Sequence, residues 1–339
     1  MKKLFFVLLG LPMIVFAQKF ELKQVASGTP TSMRGLSVVS DEVAWVSGSN
    51  GYIGKTVDGG NTWDWQRIKG YEKLDFRDIE AFDDKNAIVV NAGSPAYILK
   101  TNDGGASWQE VYKNTHKDIF LDGMDFWNAD QGIIFGDPIN HKMQLLKTIN
   151  GGLSWMDISD QLKMNFAEGE AGFAASGTTV RTLPGGYTWI ASGGLVSNAY
   201  FSKNYGKTWE KFPIPILQGN NSSGPFTISF YNKSKGIAVG GDYLQPNKAE
   251  NNVLWTEDGG KTWHKPINQV SGYRSGSAYI SEKIVLATGT NGTDISLDGG
   301  NSWTKLDDKL GNAVQKAKKG NLILIVGNGG KIYKVVKTQ

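Results

Sequence analysis

The feature that most constrains this chain is an eight-residue box that occurs six times. It first reads Thr56-Val57-Asp58-Gly59-Gly60-Asn61-Thr62-Trp63 and returns at 101–108, 148–155, 202–209, 256–263 and 296–303. Its third position is Asp58, Asp103, Asn150, Asn204, Asp258 or Asp298, and its last is always Trp. The box tryptophans stand 45, 47, 54, 54 and 40 residues apart. Such an interval in Gly-punctuated, β-rich sequence fits one four-stranded propeller blade per repeat. Within the box, Asp or Asn accepts backbone N–H groups in a tight turn. The glycines supply positive φ, and Trp is large enough to seal the gap between blades. These roles are structural. A metal array is not expected, because each side chain binds its own turn and cation sites need oxygens converging on one point.

The strands between boxes count the blades. The first unit has strands over 36–39, 43–47 and 52–56, then a fourth starting near Trp63. Second strands recur at 87–91, 132–135, 188–192, 236–239, 284–288 and 322–326, which makes seven units for six boxes. The seventh unit stops after its third strand. Residues 20–25 alternate as a strand should and are free to complete it. The expected fold is all-β: one seven-bladed β-propeller over 18–339, with four-stranded antiparallel blades, closed by the N-terminal strand in the last blade. That closure removes an exposed edge.

Residues 1–17 read as an export signal. Lys2 and Lys3 precede an apolar stretch broken only by Gly10, and Val15-Phe16-Ala17 makes a cleavage site. The stretch is short for a membrane span and no later one approaches that length. The expected location is periplasmic or secreted. The chain has no Cys, so disulfides, thiolate chemistry and thiolate metal sites are excluded and stability rests on packing. Its three histidines, His116, His141 and His264, are scattered, so no metal is expected. The net charge of +4 comes without a block of like charge, and a nucleic-acid groove is not expected.

Strand direction alternates within a blade, so the start of an innermost strand and the end of a second strand share one face. On that face Arg34, Arg77, Asp122 and Arg274 each precede an innermost strand. Glu168 and Glu170 precede the fourth one, and Asp137 and Asp242 end second strands. The chain has only five Arg among 36 basic residues, and three take matching positions here. Forked guanidinium groups converging from several blades make a carboxylate or phosphate site. The competing reading is that these arginines pair with Asp78, Asp122, Glu168 and Glu170 and tie blades together.

The boxes resemble the Asp-box (BNR) repeats of sialidase-type propellers. The mature chain further resembles the propeller family that includes the photosystem II stability/assembly factor. The stretches that carry this are Met33-Arg34-Gly35-Leu36, Phe76-Arg77-Asp78-Ile79-Glu80, Gly136-Asp137-Pro138, Glu168-Gly169-Glu170-Ala171, Gly240-Gly241-Asp242 and Gly272-Tyr273-Arg274-Ser275. The resemblance implies a binding or assembly protein, expected as a monomer, whose partner is an anionic glycan, a peptide terminus or another protein. No cofactor is expected, since no glycine-rich strand-to-helix fingerprint occurs. The more distant resemblance to sialidases implies an alternative, a glycoside hydrolase with a Tyr nucleophile. There Arg34, Arg77 and Arg274 would clamp a carboxylate, Tyr273 would attack, Glu170 would assist as base and Asp78 would be the acid. Binding is preferred: Arg34 lies in Ser-Met-Arg-Gly, not in the Phe-Arg-Ile-Pro signature of sialidases. Tyr273 and Arg274 are also adjacent, so on a strand they point to opposite faces.

Overall fold

Short runs of Val, Ile and aromatic residues cut by glycine turns become antiparallel strands. The computed structural model, which describes residues 19–338, arranges them in seven sheets. Numbered around the ring, the innermost strands are Met33–Val38, Phe76–Ala81, Leu121–Phe126, Val180–Leu183, Ser223–Phe230, Gly276–Tyr279 and Ala313–Lys316. Blade 7 is completed by Lys19–Ala26, which runs antiparallel to Ile332–Thr338 from Lys19↔Thr338 to Ala26↔Ile332. The expected seven-bladed closure is therefore observed. The expected export signal lies outside the described residues. Among the described residues no helix is long and apolar enough to cross a membrane.

Two blades depart from the four-stranded plan. Blade 5 has three strands, and the outer side of Val253–Thr256 is held by one backbone pair, Trp255 N–H to His264 O at 3.0 Å and its reciprocal at 2.8 Å. Pro266, two residues on, has no N–H to continue a ladder. Blade 4 gains a two-residue strand, Glu170–Ala171, paired with the end of Tyr187–Gly194.

Alternation along each strand buries one apolar row against each neighbouring blade. One apolar cluster fills each of the seven blade boundaries: Val39, Trp45 and Ile53 meet Phe76, Ile79 and Leu99 between blades 1 and 2, for example. An eighth cluster of Phe173, Ala175, Phe226 and Tyr273 sits at the mouth of the central channel.

Each box closes on itself. Asp58 accepts the Thr62 N–H at 2.9 Å and the Thr62 hydroxyl at 2.6 Å, while the Thr56 hydroxyl donates to it at 2.8 Å. The same bonds recur at Asp103, Asp258 and Asp298. Asn150 and Asn204 donate instead to the hydroxyls of Ser154 and Thr208. The hydroxyl bonds from Thr62 and Ser107, the largest cause, hold the Asp58 and Asp103 carboxyls down at about 2.

Candidate functional site

The innermost strands of blades 1, 2, 3 and 5 share one irregularity. Pairing skips a residue between Met33 and Gly35, Phe76 and Asp78, Leu121 and Gly123, and Pro225 and Thr227. The skipped residues are Arg34, Arg77, Asp122 and Phe226. A β-bulge bends its strand and re-aims the extra side chain. In blade 6 Gly276 pairs with Thr288, and in blade 7 Ala313 pairs with Val326, as Gly35 pairs with Ser47 in blade 1. The matching positions there are therefore Ser275 and Asn312.

Blade 4 contributes a strap instead. Residues 172–178, just before its innermost strand, cross the mouth. The Gly172 N–H donates to Asp137 of blade 3 at 2.7 Å. The consecutive carbonyls of Ala174 and Ala175 accept from Arg77 at 3.4 Å and from Arg34 at 3.3 Å. The Ser176 hydroxyl reaches the Ser275 carbonyl of blade 6 at 2.7 Å, and the Thr178 hydroxyl reaches Thr227 of blade 5 at 2.8 Å. A Cβ on Gly177 would fall 2.3 Å from the Asp78 carboxyl carbon, so only glycine passes there.

Charge on this face is uneven. Arg77 pairs with Asp75 at 2.8 Å and lies 5.9 Å from the centre of the Phe120 ring. Arg34 is half-buried, and among the described residues it forms no ion pair and makes only the Ala175 bond. Burial first, and the Arg77 charge second, lower its affinity for its proton. The acids beside them resist ionisation. Asp122 is buried with neither oxygen hydrogen-bonded, the nearby Asp137 N–H being committed to the Phe120 carbonyl at 2.9 Å. Burial, then the Asp137 charge, raises its carboxyl well above the usual range. Burial also pushes Asp137 up to about 6 and Asp78 to about 8, although Asp78 accepts the Ile79 N–H at 2.8 Å and the Met124 N–H at 2.6 Å.

Other expected site residues lie elsewhere. Arg274 does not join Arg34 and Arg77. On the hydrogen-bond ladder it stands where blades 1 and 2 have the buried Met33 and Phe76, one residue before the bulge position, so it points inward. There it is wholly buried and bound by Asp294, Asn291, the Ser271 hydroxyl at 2.7 Å and the Tyr273 carbonyl at 2.7 Å. Glu170 does not directly precede the innermost strand, which begins at Val180. It is buried within blade 4, accepting from Ser192, the Ala167 N–H at 2.9 Å, Asn198 at 2.8 Å and Tyr200 at 2.8 Å, with Lys211 at 3.2 Å. Burial opposes its charge, but these bonds outweigh it and hold the carboxyl below its usual range. Glu168 is exposed on the preceding loop. Asp242 braces its own loop, accepting the Leu244 N–H at 2.9 Å and the Gln245 amide at 3.2 Å. Tyr273 is buried against Phe226. The set expected for a hydrolase is thus dispersed: Tyr273 in an apolar cluster, Asp78 under the strap, Glu170 in blade 4 and Arg274 inside blade 6.

The sequence reading missed Asp75, although it stands two residues before Arg77 and so on the same side of an extended chain. It also missed the strap. The interval from Trp155 to Trp209 leaves chain to spare, but the interval from Trp209 to Trp263 is equally long, so spacing alone does not place the strap.

Fold and mouth together define a class: a seven-bladed Asp-box propeller whose channel mouth is strapped and bears two arginines. Residues 16–117 match the family model described as photosynthesis system II assembly factor YCF48, which bears out the resemblance to that family. Among solved structures, the chain is similar to YCF48 bound to D1 peptide, with a TM-score of 0.67 and 15% identity over 96% of this chain and 99% of that one. It is similar to YCF48 from Cyanidioschyzon merolae, with a TM-score of 0.65 and 16% identity over 92% and 98%. The GH74 xyloglucanase from Xanthomonas campestris follows, with a TM-score of 0.62 and 15% identity over 93% of this chain and 53% of that one. At these identities the likeness is one of fold. No curated protein matches the sequence.

Proposed function

We propose that this chain is an exported, non-catalytic binding or assembly propeller whose mouth receives the carboxylate of a peptide or protein partner. The observation that carries the reading is the Arg34–Arg77 pair. Two bulges aim both guanidinium groups at adjacent strap carbonyls, and Arg34 has no carboxylate of its own. A guanidinium offers five donors in a planar fork, and here most are unspent. Asp75 offsets one of the two like charges held in this half-buried site, and a further anion relieves the other. The similar structure described as bound to D1 peptide supports a peptide over a glycan. The dispersal of Tyr273, Asp78, Glu170 and Arg274 supports binding over hydrolysis.

Fluorescence anisotropy with short labelled peptides tests the reading. Amidating the C-terminal carboxylate, or changing Arg77→Lys, should each weaken binding by about tenfold or more, the scale of a lost charged hydrogen-bonding pair. Added salt should weaken it further, less steeply than at an open surface patch. If Arg77→Lys lowers only the melting temperature, the arginines are blade ties and the reading falls. Export is tested separately: the protein recovered outside the cytoplasm should begin at Gln18.

A further inference from the structure

Resting on that reading, we infer that the mouth also selects the side chain next to the carboxylate. Its ligand is a polypeptide C-terminus ending in an apolar or aromatic residue, and Phe173, Phe226, Tyr243 and Tyr273 form the shelf that receives it.

The shelf and the arginines are one surface. Phe226 is the bulge residue of blade 5, at the same ladder position as Arg34 and Arg77. Its ring stacks on Phe173 of the strap at 3.9 Å, meets Tyr273 edge-on at 4.8 Å and meets Tyr243 edge-on at 6.1 Å. Ala175 joins the two halves, since its carbonyl accepts from Arg34 while its methyl packs in the aromatic cluster.

The shelf is also open where a core would be closed. Phe226 and Tyr273 are buried, but Phe173 is only partly covered and Tyr243 is 48% exposed. Leu244, next to Tyr243, is 71% exposed. All lie on the face of the arginines, because Tyr243 follows the second strand of blade 5, Gly236–Asp242. Exposed apolar groups layered on buried aromatics, and rimmed by polar residues, mark a binding surface. Charge complementarity then chooses the occupant. A bare phosphate uses the arginines and leaves the shelf wet, and an internal acidic residue brings chain on both sides across a mouth already crossed by the strap. A chain terminus brings the carboxylate and one side chain on the same carbon, which fits a cation beside an apolar shelf.

The test compares peptides identical except at the last residue, ending in Leu or Ser, each as free acid and as amide. One further peptide carries its only carboxylate on an internal Asp, and inorganic phosphate serves as competitor. The Leu acid should bind about tenfold tighter than the Ser acid, the scale on which apolar pockets discriminate. Tyr243→Ala should collapse that preference and Tyr243→Phe should keep it, with melting temperatures confirming that both variants fold. Equal binding of the Leu and Ser acids, with both lost on amidation, overturns the shelf and leaves the carboxylate reading standing. Equal binding of acids and amides overturns the carboxylate reading itself. An internal Asp peptide as tight as the Leu acid, or phosphate competing at the same concentration as peptide, overturns the chain terminus as occupant.

Discussion

A carboxyl buried without a cation titrates against the fold, and this chain has several at its mouth. Asp78 is pushed to about 8 and Asp137 to about 6, and Asp122 lies well above its usual range, burial being the largest cause for each. The sign follows from linkage. In the unfolded chain these acids ionise near pH 4, as ordinary carboxyls do. In the fold they hold their protons, so stability is greatest below that pH and falls as pH rises. The Asp137 part of the fall ends near its folded value of about 6, and the Asp78 part near about 8. The box acids Asp58 and Asp103, held at about 2, act with the opposite sign but below this window. Denaturant midpoints should therefore decline from pH 5 to 8. In Asp78→Asn the decline should flatten, although the protein is less stable at pH 5, since an amide oxygen replaces a carboxyl that served both Ile79 and Met124. A midpoint that rises across this window would contradict the assignment.

Closure and its weak point are properties of strands. The N-terminal strand Lys19–Ala26 exposes half of its residues, with Leu22 its one fully buried side chain at 4% exposure. Its hold on blade 7 is therefore the backbone ladder, the Leu22 anchor, and the partly buried Phe20, Val25 and Ala26 packed against the clusters on either side of the blade. Leu22→Ala should cost about 2–4 kcal/mol in chemical denaturation, as large-to-small core changes do. Deleting residues 18–26 should cost more, because it also opens the edge of Ile332–Thr338. A deletion no worse than the point change would mean that the ladder contributes nothing. Blade 5 is the other weak place. With only the Trp255–His264 backbone pair and the Gln269 side-chain oxygen, which accepts the Val253 N–H at 3.1 Å, on its outer side, Val253–Thr256 should open locally more often than third strands covered by a full fourth strand. Its amides should exchange with solvent faster than those of Tyr52–Thr56 in blade 1.

The strap belongs to the whole molecule, since it touches five blades and no single blade specifies it. Gly177 has φ of 71° and lies against Asp78, so Gly177→Ala meets both backbone strain and a clash. It should cost about 2 kcal/mol or more. The carbonyls of Ala174 and Ala175 would shift with it, and carboxylate-dependent peptide binding should weaken although no arginine has changed. Normal affinity in a destabilised Gly177→Ala protein would show that the strap does not position the arginines. What the sequence by itself determined is what local chemistry can determine. Six boxes close their own turns, period-two alternation marks the strands, and counting second strands against boxes leaves one blade to be finished by residues 20–25. The face of the site was legible for the same reason, because strand direction alternates without exception. Which arginines meet was decided only by the tertiary structure. A one-residue difference in ladder position separates Arg274 from Arg34 and Arg77, and in a strand one residue reverses the side chain. Bulges set that position, and they come from pairing with a neighbouring strand. Sequence spacing from the nearest glycine does not record it.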